Sequence, residues 1–129
     1  MAGGAVSWSS KRQPTVATST TKAEYMALSQ AAQQAMWMYS FMSKVGLEQE
    51  LLATLNGDNM SLIAMTANNK EHSRAKHIDV RHHYICEHVQ EGDIEMKHIP
   101  SSKNLANILT KPLPRIIHQH LVHDQLLDA

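Results

Sequence analysis

Nine histidines and a single cysteine among 129 residues raise metal and thiol chemistry first. His83 and His88 lie near each other, and His118, His120 and His123 crowd one short stretch. No Cys-x-x-Cys or His-Glu-x-x-His pattern joins them, so the spacing does not describe a zinc site. Cys86 has no neighbouring group that would activate a thiolate, and it reads as an inert, partly buried thiol. Glu24 and Asp58 are carboxylates, hard oxygen donors of a type that magnesium accepts. Each also has a plain structural reading. Glu24 completes a Thr21-x-x-Glu24 capping box, and Asp58 with Asn59 can cap and turn into a helix starting at Met60.

A third group of residues could meet phosphates. His72, Arg74, Lys76, His77, Arg81 and His82 form a basic, histidine-rich segment. Glu71, Asp79 and Glu87 dilute it, and across the chain twelve basic and twelve acidic residues cancel. No overall field draws the chain to nucleic acid, so a local groove and a solvated helix face both remain open as readings of this segment.

The elements that must position these residues follow from hydrophobic periodicity. Gly3-Gly4 before Val6 and Trp8 reads as a turn entering a strand, one arm of a hairpin. A long helix opens at Thr20-Thr21-Lys22-Ala23-Glu24, carries Leu28, Ala31, Ala35, Met38, Met42 and Val45 at steps of three and four, and stops at Gly46. Met36, Trp37, Met38 and Met42 on it read as core packing. Leu51 to Leu55 reads as a strand, Met60 to Ala67 and Ile78 to Gln90 as helices, and Ile94 to Ile99 as a further strand. Leu105 to Thr110 is a short helical candidate closed by Lys111-Pro112-Leu113-Pro114, and Arg115 to Leu127 a last amphipathic helix. Strands interleaved by helices predict an α/β chain, a sheet flanked by helices.

With 43% hydrophobic residues and this length, one domain over residues 1–129 is expected. No apolar run approaches the roughly 18 residues of a membrane span. A single cysteine and no secretory start suit an intracellular, cytoplasmic or nuclear, setting.

Several strings resemble, in order, the ribonuclease H domain that ends the Pol polyprotein of copia-type long-terminal-repeat retrotransposons. They are Val6-Ser7-Trp8-Ser9-Ser10-Lys11-Arg12-Gln13, Ser19-Thr20-Thr21-Lys22-Ala23-Glu24-Tyr25 and Asp58-Asn59, then His72-Ser73-Arg74-Ala75-Lys76-His77-Ile78-Asp79-Val80-Arg81-His82-His83 and Leu109-Thr110-Lys111-Pro112-Leu113. The resemblance implies a ribonuclease H-like mixed sheet flanked by helices, and an activity that cuts the RNA strand of RNA:DNA hybrids. It also implies four carboxylates holding two Mg2+ or Mn2+ ions, which activate the attacking water and stabilise the leaving oxygen.

By this match Glu24 and Asp58 are two of the four metal-binding, catalytic carboxylates. The last falls at Asn107, an amide without charge. The first belongs to a strand upstream of Gly3-Gly4, so the chain is expected to lack the first strands of the fold and that carboxylate with them. Little or no nuclease activity follows as an expectation, because the attraction of such sites for dications is chiefly ionic. Asn107→Asp alone is expected not to restore cleavage. Arg74, Lys76, His77 and Arg81 are the residues the resemblance would set against a hybrid. Unpaired sheet edges would favour self-association or pairing with a Pol polyprotein, which makes a noncatalytic binding or assembly module the alternative function. A decayed reading frame without a selected role is a third.

Overall fold

The computed structural model describes residues 5–13, 19–47, 53–67 and 80–127. The chain divides into two compact units, one of Val16–His98 and one built from Met1–Thr15 with Ile99–Ala129.

The first unit begins with helix α1, Thr20–Lys44. Its N-cap is Ser19, whose hydroxyl accepts from the Lys22 N–H at 3.1 Å and satisfies one of the four unpaired donors of a helix start. At the other end Val45 donates its N–H to Phe41, and Gly46 adopts a φ of +76°, a conformation that costs glycine nothing. Strand β1 (Ala53–Gly57), helices α2 (Met60–Ala67) and α3 (Val80–Glu91) and strand β2 (Ile94–His98) follow. The strands pair in parallel from Ala53 opposite Ile94 to Gly57 opposite His98. Parallel neighbours require a crossover, and α2 and α3 lie within it.

The core of this unit is Ala32, Ile85 and Ile94, with Tyr25, Leu28, Met36, Ala53, Leu55, Tyr84, Val89 and Met96 packed around it. Ile85 and Ile94 are almost wholly buried, each stabilising the unit by about 1.5–3 kcal/mol. Along β1, Ala53 and Leu55 are half-buried while Thr54 and Asn56 are exposed, the alternation of a strand with one face on a core.

The buried face of α1 differs from the expected one. Met26, Ser29 and Ala32 are buried, whereas Ala31 and Val45 are exposed. A row of alternating three- and four-residue steps drifts around a helix of 3.6 residues per turn, by about 100° between Leu28 and Val45, and so leaves the sheet-facing side. Length matters as well: 25 residues of helix span about 37 Å, a five-residue strand only about 17 Å. The C-terminal part of α1 therefore outruns β1 and β2. Trp37, expected in the core, is 58% exposed and stacks on Phe41 with ring centroids 5.6 Å apart.

In the second unit, residues 5–13 form no strand, and Val6 and Trp8 are exposed. The hairpin arm expected there has no partner among the described residues, and a strand without a ladder has no hydrogen bonds to hold it. Ser10 instead donates its hydroxyl to the Leu109 carbonyl at 2.9 Å. A 3-10 turn at Ser101–Lys103 leads to the short helix α4, Asn107–Thr110. Pro112 and Pro114 then separate α4 from helix α5, Arg115–Leu127, which buries Leu121. Among the described residues no helix is long and apolar enough to cross a membrane.

Candidate functional site

Because Ser19 caps α1, Thr21 lies inside the helix and Glu24 stands in its second turn, free of the capping-box role that its spacing suggested. Its carboxylate turns to another element: Glu24 Oε2 accepts a hydrogen bond from Asn59 Nδ2 at 2.5 Å. Asn59 follows Asp58 where β1 gives way to α2, and Asn59 Oδ1 accepts from the Leu62 N–H at 3.2 Å. The cap of α2 is thus Asn59, not Asp58 as local propensity suggested. Asp58 is left half-buried at the mouth of β1. A hydrogen bond spanning 35 residues consequently ties the first long helix to the Asp58-Asn59 corner. The Glu24 carboxylate is thereby bonded to the residue that follows Asp58 in the chain, and carboxylate oxygens are hard donors of the kind Mg2+ or Mn2+ takes.

Asn107 belongs to the other unit and is nearly buried. Its Nδ2 donates to the Ser101 carbonyl at 2.6 Å and contacts Ser101 Oγ at 3.3 Å. The amide therefore closes the turn leading into α4, and only Oδ1 remains as an uncharged oxygen donor. Arg74, Lys76 and His77 lie outside the described residues, and Arg81 is the second residue of α3.

Sequence spacing missed one cluster. His88, Glu91 and Asp93 bring one ligand atom each to within 4.8 Å of one another. His88 Nδ1 lies 2.9 Å from Asp93 Oδ2 and 3.7 Å from Glu91 Oε2, and Tyr84 meets the ring edge-on at 4.5 Å. The cluster sits where α3 ends, with Gly92 at φ +83° and the Asp93 N–H donated to the His88 carbonyl at 2.9 Å. An imidazole near a helix C-terminus, held by two carboxylates, accounts for the arrangement without an ion. The signal that could have found it is the helix stop at Gly92, which folds Asp93 back on His88. His83, His118, His120 and His123 join no three-ligand cluster among the described residues. Cys86 is buried, and that burial raises its thiol above the ordinary value, as expected of an inert side chain.

Comparison with known proteins decides the ancestry. The chain is 41% identical over 113 residues, 88% of its length, to the retrovirus-related Pol polyprotein from transposon TNT 1-94 of Nicotiana tabacum. It is 35% identical over 115 residues, 89% of its length, to those from transposons RE2 and RE1 of Arabidopsis thaliana. The chain's homologues are copia-type transposon Pol polyproteins. This Pol homologue spans 8% of the length of each of these curated relatives. No family model matches it, and no solved structure does.

Proposed function

We propose that this region is the ribonuclease H-like part of a copia-type Pol polyprotein, with Glu24 and Asp58 as its surviving metal ligands and a site too poor in charge to cleave well. The observation that carries the reading is the Asn59 bridge, which sets the Glu24 carboxylate against the corner that bears Asp58. The parallel pair β1 and β2, with Asp58 directly after the first of them, agrees with an α/β sheet of the ribonuclease H kind. Mg2+ or Mn2+ held by these oxygens would supply an activated water and a counter-charge for the leaving oxygen. Glu24 and Asp58 would hold the ion, and Asn107 adds no charge where the resemblance expects a carboxylate. The substrate is an RNA:DNA hybrid, with Arg74, Lys76, His77 and Arg81 contributing phosphate contacts that position rather than specify.

The test is cleavage of a labelled RNA:DNA hybrid with Mg2+ or Mn2+, run on the purified chain and on a Glu24→Ala, Asp58→Ala double variant, with Mn2+ binding measured beside it. The expected result is little or no cleavage by either protein, and Mn2+ binding that the double variant loses. Strong cleavage that survives the double substitution would overturn the assignment of the site. A noncatalytic binding or assembly module is the second reading, favoured by the exposed, stacked Trp37–Phe41 pair. Folding that depends on a partner would distinguish it.

A further inference from the structure

We infer that Asn59 is a positioning residue, an amide clamp that fixes the Glu24 carboxylate against the Asp58-Asn59 corner while capping α2; the inference rests on the reading of Glu24 and Asp58 as metal ligands.

The two hydrogen bonds of Asn59 need opposite polarities from one short side chain. The Leu62 N–H can only donate, so it must face Oδ1. The Glu24 carboxylate can only accept when ionised, so it must face Nδ2. These two partners settle the orientation of the amide, which its shape alone would leave ambiguous. Aspartate at this position could cap the helix but would oppose the Glu24 carboxylate with a second one. Serine could cap, but it is a bond shorter and carries no NH2 group. Glutamate has three rotatable side-chain bonds, and on the exposed side of α1 the Asn59 amide is what holds the Glu24 carboxylate. The clamp removes that freedom. It also places an N–H dipole beside the Glu24 carboxylate, a charge-assisted hydrogen bond. Groups that orient metal-binding carboxylates in this way tune affinity without touching the ion.

The contrast between Asn59→Ser and Asn59→Ala tests the clamp on the full chain. Serine keeps a good N-cap and the net charge but loses the donor to Glu24, whereas alanine loses both functions. The measurements are thermal melting and Mn2+ affinity, the latter from paramagnetic broadening of the Glu24 and Asp58 carboxylate resonances, with Glu24→Ala and Asp58→Ala as references. The expected result is that Asn59→Ser melts like the unsubstituted protein while its Mn2+ affinity falls roughly tenfold, the size typical of lost outer partners of a metal site. Asn59→Ser binding Mn2+ as tightly as the parent, while Glu24→Ala loses it, would overturn the clamp and leave the proposed metal site standing. Affinity that falls only in step with melting temperature in both Asn59 variants would also overturn it, since the role would then be structural. Mn2+ bound equally by the parent, Glu24→Ala and Asp58→Ala would remove the metal site itself, and the clamp with it.

Discussion

Asn107→Asp restores the carboxylate that the family resemblance expects, yet the structure makes it a damaging change. The Asn107 side chain is only 8% exposed, and its NH2 group donates to the Ser101 carbonyl at 2.6 Å. An ionised carboxyl in its place has no proton to give, so two acceptor oxygens would face each other at that distance. The lost hydrogen bond is worth about 0.5–1.5 kcal/mol, and an unsatisfied, nearly buried carboxylate adds about 1–3 kcal/mol. The Ser101 hydroxyl, 3.3 Å away, can turn to donate and offset part of this. A net loss of about 1–4 kcal/mol at neutral pH is expected. Urea denaturation and hydrogen exchange at the Lys111 N–H, which bonds the Asn107 carbonyl at 3.2 Å, are the assays. The pH dependence gives a second handle. A protonated carboxyl can donate to Ser101, so the folded state raises the pKa of the introduced group above its unfolded value near ~3.9. The penalty is therefore absent below that unfolded value and accrues as pH rises through the raised folded one. A variant as stable as its parent at pH 7, or one whose deficit does not shrink at acid pH, would refute the view that Asn107 acts here as a donor.

Two further perturbations probe the first unit. Ser29 is 1% exposed on the core face of α1, and its hydroxyl has no hydrogen-bond partner among the described residues. Ser29→Ala should therefore raise the urea midpoint, with a gain of about 1 kcal/mol, and a clear loss of stability would show that the hydroxyl is paired. Cys86 is buried with its thiol raised by that burial, so less thiolate is present at any pH below the ordinary thiol range. Reaction with a thiol-specific disulfide reagent should be slow in the native chain and appear with unfolding; rapid stoichiometric labelling under native conditions would contradict the packing of α3.

Much of the element order is legible in the residues themselves. Met60–Ala67 and Arg115–Leu127 match the predicted helices to the residue, and the strand predicted from Ile94 falls at Ile94–His98. These segments carry their own punctuation: Asn59 before α2, the two prolines before α5, and Gly92 before β2. The two carboxylates of the candidate site were also visible, though through resemblance, since a lone glutamate or aspartate carries no local mark of a metal ligand. The misreadings have a common source. A capping box at Thr21 and a cap at Asp58 are both locally sound, but a cap is the residue directly before the helix, and with α1 starting at Thr20 and α2 at Met60 the caps are Ser19 and Asn59. Trp37 fits an apolar row, but only the length of the strands tells which part of α1 has anything to pack against.

The sequence by itself thus determined the kinds and order of the elements from α1 to α5, and the ancestry carried by collinear motifs, because periodicity, turn chemistry and residue identity are local. Tertiary structure alone decided the pairing of polar atoms. Glu24 with Asn59 joins residues 35 apart, and His88 meets Asp93 only once the chain has turned at Gly92. A hydrogen bond needs two groups within about 3 Å, and no spacing rule along the chain says which distant groups folding will bring that close.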